Sequence, residues 1–170
     1  MHIDQSRRDR NVVGAAAIAV TDLVRAAVEQ ATGLAGSGPA ALVAVVADPG
    51  LSIDELRRVL GLTHPGTVRL VDRLVDKGWI ERQHGVGRTV LLAPTPSGRA
   101  AERRLAASRE AALADYLAAL SDDDVHRIAV LVEPILGRTI NDVDAMRRLC
   151  RLCDRGVCQN CPAEASRSTG

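Results

Sequence analysis

Aromatic side chains are nearly absent from this chain of 170 residues, which has no phenylalanine, one tryptophan and one tyrosine. Proteins that bind RNA loops or single-stranded nucleic acids stack the bases on aromatic side chains, so the composition argues against both partners. Apolar residues still make up 46% of the sequence, and most are alanine, leucine and valine. Small aliphatic side chains suit tightly packed helices, with Trp79 as an anchor in the core.

The sequence also lacks the motifs of common enzyme classes. It has no glycine-rich phosphate loop, no Gly-x-Ser-x-Gly and no His-Glu-x-x-His, and its four histidines are scattered. Three consecutive acidic residues, Asp122 to Asp124, are typical of a helix start rather than of an acid–base or metal site. We therefore expect that the chain is not an enzyme.

The first residues show no secretory leader. Residues 1–10 are polar, and no apolar stretch of the sequence reaches 18 residues on inspection. We therefore expect a cytoplasmic protein that does not enter the membrane.

The charges are unevenly distributed, although the net charge is only +1. Residues 63–99 carry six basic and three acidic side chains, whereas residues 100–146 carry five and nine. The overall balance gives no support for nucleic-acid binding, but the local excess of positive charge does. Affinity for DNA increases with the number of phosphates neutralised, so two copies of the basic segment would bind better than one.

Capping residues in the middle of the chain predict two consecutive short helices. Ser52 and Glu55 form a capping-box signature, with a hydroxyl at the N-cap and a carboxylate three residues later. Gly61 is expected to end this first helix. Thr63 can cap the second helix, and Gly78 is expected to end it.

A hairpin is predicted directly after these helices. Residues 79–83 and 88–93 have the composition of strands, and residues 84–87 that of a turn. Helix, turn, helix and hairpin together predict a winged helix-turn-helix, which indicates DNA binding. The recognition helix is expected over residues 63–77 and the wing over residues 82–92.

The second helix has one apolar and one charged face. At about 100° per residue, Thr67, Leu70 and Leu74 lie on the apolar face. Arg69 and Arg73 fall on the other side, one turn apart, where a guanidinium can bind guanine or a phosphate through two hydrogen bonds. The candidate DNA-binding residues of this helix are Thr63, His64, Pro65, Gly66, Thr67, Val68, Arg69 and Arg73.

Two interpretations without DNA remain open for this segment. In the first, Asp72 and Asp76 pair with Arg69 and Arg73 along the helix, and the charged face is merely solvated. In the second, the winged helix is a module that binds only other proteins.

The same segment resembles the MarR-type regulators. Residues 62–82 look like the recognition helix and first wing strand of that family, and residues 88–99 look like its passage from the wing into a long dimerisation helix. The resemblance covers most of residues 11–149 and implies a DNA-binding regulator. In that family a wing arginine enters the minor groove, and Arg88 matches it by position.

Helical periodicity extends to both sides of the winged helix. We expect a long helix from Pro96 to Leu120 and another from Ser121, which Pro134 and Gly137 kink or interrupt before it resumes. These helices expose more apolar surface than one small lobe can cover, so we expect a second copy of the chain to cover it.

The predicted fold class is mainly α with a small β-wing. Four segments are expected: an N-terminal dimerisation helix over residues 11–34, the DNA-binding domain over 35–95, dimerisation helices over 96–149 and a cysteine motif over 150–162.

All four cysteines lie within twelve residues, as Cys150-x-x-Cys153-x4-Cys158-x-x-Cys161. Two CxxC units can bind one metal ion through four thiolates, and neighbouring arginines would offset the negative charge of such a centre. Zinc is the expected ion because it is redox-silent and tetrahedral, although an iron–sulfur cluster also uses four cysteines. Redox-responsive disulfides and unliganded thiols are the alternatives.

These patterns predict a homodimeric transcriptional regulator, most simply a repressor, that binds a pseudo-palindromic operator in double-stranded DNA. A small-molecule effector is compatible with this function. The alternative is a metal- or redox-sensing regulator in which the cysteine centre controls DNA binding.

Overall fold

The computed structural model describes residues 4–85, 87, 89–154 and 156–158. In this part of the chain the helices are α1 (Gln5–Thr32), α2 (Gly38–Ala47), α3 (Ile53–Leu60), α4 (His64–Asp76), α5 (Pro96–Leu117), α6 (Asp122–Thr139) and α7 (Val143–Leu149). The strands are β1 (Leu51–Ser52), β2 (Ile80–His84) and β3 (Val90–Pro94). This mainly helical fold with a small sheet confirms the predicted fold class.

The core lies where α2 meets the helices and sheet of the winged helix. α2 is apolar almost all round, as expected of a helix that other elements surround. The side chains packed around it are aliphatic, and the fully buried ones include Leu42, Val45, Leu56, Leu70, Leu74 and Leu92.

Two long helices, α1 and α5, pack against each other beside this core. The hydroxyl of Ser108 on α5 donates a hydrogen bond to the carbonyl of Ala27 on α1, at 3.1 Å. Burial on α1 is confined to its C-terminal end, at Val28 and Thr32. The N-terminal half of α1 therefore projects beyond the body of its own chain.

The sheet is antiparallel with the order β1-β3-β2. Its hairpin strands lie one to two residues later than predicted, and β1 was not predicted. β1 has only two residues, with Leu51 opposite Leu92, so its sequence carries no alternating pattern.

The predicted helix signals of the winged helix are confirmed at α3. The Ser52 hydroxyl accepts a hydrogen bond from the Glu55 N–H at 3.2 Å, and the Ser52 N–H donates to the Glu55 carboxylate at 2.8 Å. Gly61 ends α3 with a φ of 65°, a left-handed conformation that glycine adopts without steric cost.

Pro134 and Gly137 were predicted to kink or interrupt the helix, and the predicted interruption is wrong. α6 continues through both residues to Thr139, and the chain bends over residues 140–142 instead. The reason lies at the bend, where Ile140 turns inward in an extended conformation and is 8% exposed. Asp142 then caps α7 by accepting a hydrogen bond from the Ala145 N–H at 2.6 Å.

α1 also corrects the expectation about apolar stretches. An 18-residue window of this helix has a mean hydropathy of 1.5, so α1 is long and apolar enough to cross a membrane by length and composition. Only 6% of that window is buried within the chain. A core helix of a soluble protein and a signal sequence both meet the same criterion, and α1 packs against α5.

Candidate nucleic-acid interface

α4 presents the two faces that its sequence predicts. Leu70, Val71 and Leu74 are buried, whereas Arg69 and Arg73 are exposed on the other side. The buried side chains fix the rotation of α4 in the fold, so the exposed arginines have a defined direction.

The beginning of α4 is built around Thr63. Its hydroxyl accepts a hydrogen bond from the Gly66 N–H at 3.3 Å. Thr63, His64 and Pro65 are exposed, and Gly66 and Val68 are half-buried. A Cβ on Gly66 would come within 3.1 Å of the Thr63 hydroxyl, and glycine avoids this close contact. The start of α4, which has no side chain at residue 66, can thus approach a DNA backbone closely.

Among the residues of α4 that were predicted to bind DNA, Thr67 is the one whose side chain is buried. Its side chain is 0% exposed, and its hydroxyl donates to the Thr63 carbonyl at 3.0 Å. The prediction that Thr67 contacts DNA through its side chain is therefore wrong, because the methyl group belongs to the apolar face and the hydroxyl is already bonded.

One alternative was that the charged face of α4 is merely solvated, with its acidic residues paired to its arginines along the helix. The ion pairs of the structure differ from that arrangement. Asp72 does not pair along its own helix but binds Arg82 on β2, with the guanidinium nitrogen 2.6 Å from the carboxylate. Among the residues that the structure describes, Arg69 and Arg73 have no ion pair. Asp72 thus ties the wing to α4 and leaves both arginines available to a ligand.

His64 lies beside an acidic residue of α3. Its Nδ1 is 3.5 Å from the carboxylate of Asp54, which is also 3.4 Å from Nε of Arg57. This arrangement links the start of α4 to α3, and it becomes an ion pair only when the imidazole is protonated.

The wing is a short hairpin whose base the structure describes. The Gly85 N–H donates to the Thr89 carbonyl at 2.9 Å, next to the paired strands. Arg88, the predicted minor-groove residue, lies outside the described residues. Trp79 is half-buried at the start of the hairpin and packs against the core, with the Lys77 ammonium 4.9 Å from its ring centre.

A second contact, which the sequence did not reveal, joins the end of α4 to α5. The hydroxyls of Thr95 and Ser97 both donate to the Gly78 carbonyl at 2.6 Å. A Cβ on Gly98 would overlap the carbonyl of Trp79, so only glycine allows this approach. The recognition helix and the wing are thereby fixed to the long helix that follows.

The three described cysteines follow α7. Cys150 and Cys153 are half-buried and Cys158 is exposed. Within the described ranges no three His, Cys, Asp or Glu side chains form a group that could hold a metal ion. Cys161, the fourth predicted ligand, lies outside those ranges.

A groove separates the long helices from the winged helix. α1 contributes Val24 and Val28, α5 contributes Arg109 and Leu113, and α2 lies at the base. Leu152 and Cys153 form the wall on the C-terminal side. The groove thus combines an aliphatic surface with cationic side chains, which suits an apolar molecule that carries negative charge.

Residues 32–88 match the sequence model of the MarR family. The matched range begins at the end of α1 and includes α2, α3, α4 and β2. Comparison with curated proteins gives no significant match. The match confirms the resemblance on which the DNA-binding expectation depends.

Solved structures of other proteins share the fold over most of the chain. The YusO protein of Bacillus subtilis is 20% identical, with 79% of this chain and 97% of that chain covered and a TM-score of 0.67. The MarR family protein Rv2887 of Mycobacterium tuberculosis, in complex with p-aminosalicylic acid, is 28% identical over 72% and 96%, with a TM-score of 0.57. CouR of Rhodococcus jostii RHA1, bound to p-coumaroyl-CoA, is 27% identical over 72% and 90%, with a TM-score of 0.55.

Proposed function

We propose that this chain, a MarR-type winged helix by fold and by sequence match, is a cytoplasmic transcriptional repressor rather than an enzyme. It binds a pseudo-palindromic operator as a homodimer, with one α4 in each of two successive major grooves. Repression is the simplest mode because a dimer seated on a promoter blocks access to it.

The observation that supports this proposal is the pair of exposed arginines on α4, a helix whose opposite face is buried in the core. Arg69 and Arg73 are one turn apart, and Asp72, the acidic residue between them, is held by Arg82. A helix that needed only a solvated face would gain from pairing these charges locally. Directing the carboxylate toward the wing instead keeps two guanidinium groups available for bases or phosphates.

The homodimer is supported by apolar surface that the single chain leaves open. Val13 and Ile18 on α1 are 68% and 67% exposed, and Leu131 and Ile135 on α6 are 72% and 61% exposed. Ile128, Leu131 and Ile135 recur at helical spacing on one face of α6. A contiguous apolar stripe of this kind marks a protein interface, and two-fold pairing of identical helices is the simplest way to cover it.

A small-molecule effector belongs to the same proposal. Two similar structures hold an aromatic acid or a derivative of one, p-aminosalicylic acid in the first and the thioester p-coumaroyl-CoA in the second. In this chain the groove between the long helices and the winged helix offers Arg109 beside Val24, Val28 and Leu113. We therefore place the effector site there and expect an aromatic acid as its ligand.

The experiment that tests this function begins with selection of an operator from random duplex DNA by the purified protein. The selected site should contain two half-sites about 10 base pairs apart, centre to centre, as a two-fold dimer requires. Arg69→Ala and Arg73→Ala should each weaken binding to this site by about 1–3 kcal/mol if the side chain contacts a base.

Arg104→Ala is the matched control, because it removes an exposed arginine from α5 rather than from α4. Its affinity should equal that of the parent. Equal affinity of all three variants, or enrichment of no sequence at all, would reject α4 as a recognition helix. Binding should also weaken as salt rises, since each phosphate contact releases counterions.

A further inference from the structure

The C-terminal segment, residues 140–154, returns to the body of its own chain after α6. α7 lies against α3, the first helix of the helix-turn-helix. Arg147 on α7 is 3.8 Å from the carboxylate of Asp48, which follows α2, and the two side chains are only 26% and 35% exposed. Ile140, at the bend before α7, is buried. These contacts place the segment against the winged helix.

Leu152 brings the end of this segment to the groove between the long helices and the winged helix. It packs against a cluster formed by Val28 of α1, Val43 of α2 and Leu105 of α5. The residues just before Leu152 therefore also line the groove. One wall of the groove is thus made by a segment far in sequence from α1, α2 and α5.

The charged side chains that line the groove are all arginines. They are Arg25 of α1, Arg109 of α5, and Arg148 and Arg151 of the C-terminal segment. Arg25 is paired with Asp22 at 2.9 Å, whereas within the described ranges the other three arginines form no ion pair. In this part of the chain the groove thus carries three positive charges that no carboxylate balances.

These three arginines come from two different elements. Arg109 is half-buried on α5, and Arg148 and Arg151 are exposed on the C-terminal segment. A guanidinium nitrogen of Arg151 donates to the Arg148 carbonyl at 2.7 Å, which leaves other N–H groups of its five for a ligand. One carboxylate binds one guanidinium through two hydrogen bonds, so Arg109 is sufficient for a monoacid. The arginines of the C-terminal segment then remain for a second anionic group.

The groove has room for a ligand with two such groups. Its volume of about 680 Å³ lies within the range of small-molecule sites. Val20, Val24 and Leu113 provide an aliphatic surface beside the arginines. An apolar body can therefore lie on this surface while its charged ends reach guanidinium groups.

We propose that the C-terminal segment completes the groove, and that Arg148 and Arg151 make the groove selective for apolar diacids over apolar monoacids. The inference rests on the effector site of the proposed function and specifies the class of its ligand. One anionic group binds Arg109, and the second binds Arg148 and Arg151. The ligand is held by hydrogen bonds and apolar contact, without a covalent step.

The test compares two probes that share one aromatic ring. Terephthalate has a carboxylate at each end, and p-toluate has a methyl group in place of the second carboxylate. Calorimetric titration of the full chain without DNA at neutral pH measures both affinities. The parent should bind terephthalate about ten-fold more tightly, because the second carboxylate gains charge-assisted hydrogen bonds.

Substitutions in the C-terminal segment should act on the second carboxylate alone. Arg148→Gln and Arg151→Gln should each reduce the preference for terephthalate, and the double variant should abolish it, while the affinity for p-toluate stays as in the parent. Arg138→Gln is the matched control, because it removes an exposed arginine from the last turn of α6, outside the groove. It should keep the parent's preference.

Leu152→Ser tests whether the docked segment brings its arginines to the groove. Loss of this anchor should lower the ratio of the two affinities, since the apolar contact that both probes make cancels in the ratio. Val157→Ser is the control, because Val157 is 80% exposed, and it should leave the ratio unchanged.

Three results would overturn the diacid site: equal affinities of the parent for the two probes, an unchanged preference in the double variant, or no binding of either probe at millimolar concentration. An unchanged ratio in Leu152→Ser would overturn the role of the docked segment. Failure to select an operator would reject α4 as a recognition helix but would leave this ratio intact, so the two failures are distinguishable.

Discussion

Single side chains in this protein act mainly by capping helices and by pairing between elements. The pairing of Asp72 with Arg82 illustrates the second kind, because it fixes the wing to α4 across ten residues of sequence. The pairing also decides the chemistry of α4, since it removes the only acidic side chain between Arg69 and Arg73. A solvent-exposed ion pair contributes only about 0–1 kcal/mol to stability. The main effect of this pair is therefore to direct the Asp72 carboxylate toward Arg82 and away from Arg69 and Arg73.

The capping box at Ser52 makes a pH-dependent contribution to stability. The backbone N–H of Ser52 and then its hydroxyl donate hydrogen bonds to the Glu55 carboxylate and hold the pKa of Glu55 below its ordinary value of 4.5. A carboxyl with a depressed pKa in the folded state stabilises the fold above its unfolded pKa. This contribution disappears as the pH falls through the folded pKa.

Glu55→Gln should therefore lower the urea midpoint at neutral pH and flatten its decline below about pH 4.5. Trp79 fluorescence at fixed protein concentration is the measurement, and Glu110→Gln, an exposed position on α5, is the control. If Glu55→Gln and Glu110→Gln have the same midpoint at every pH, the cap contributes no measurable stability.

At the scale of elements, the junction between α4, β2 and α5 joins the winged helix to the long helix that follows it. It relies on the close approach of Gly98 to the Trp79 carbonyl and on two hydroxyls that bind the Gly78 carbonyl. Gly98→Ala should force these backbones apart and lower the free energy of unfolding by about 1–3 kcal/mol.

Gly14→Ala is the corresponding control in α1, where an added Cβ meets nothing within 4 Å. Alanine is the better helix former by about 1 kcal/mol, so this variant should be neutral or slightly more stable. Urea denaturation at one protein concentration compares the two. Similar losses in both variants would contradict the close contact at Gly98.

The elements that the sequence predicted are those whose signals are local. Ser52 and Gly61 delimit α3, and the apolar spacing orients α4, because caps and periodicity depend on neighbours within one or two turns. The pairing of Leu51 with Leu92 and of Asp72 with Arg82 depends on residues far apart in sequence. Single-sequence patterns carry no signal for such contacts, and the same reason explains why the bend at Ile140 was assigned to Pro134.

At the scale of the whole molecule, the exposed apolar face of α6 is where we expect the second copy of the proposed homodimer to pack. Leu131→Asp places a charge in the centre of that face and should convert a dimer into monomers or insoluble protein, because an unpaired buried charge is costly. His126→Asp is the control, since residue 126 lies on the opposite face of the helix by its spacing. Light scattering at micromolar concentration distinguishes the two variants, and a monomeric parent protein would exclude the dimer.

The groove between the long helices and the winged helix has a consequence for how signals combine in this molecule. Its wall includes residues of α1 and α5 together with Pro39 and Ala40 of α2, so a compound seated there touches both the long helices and the winged helix. Under the proposed function, any factor by which the compound changes the affinity for DNA must equal the factor by which DNA changes the affinity for the compound. The amount of operator DNA would then shift the concentration of compound at which the regulator responds.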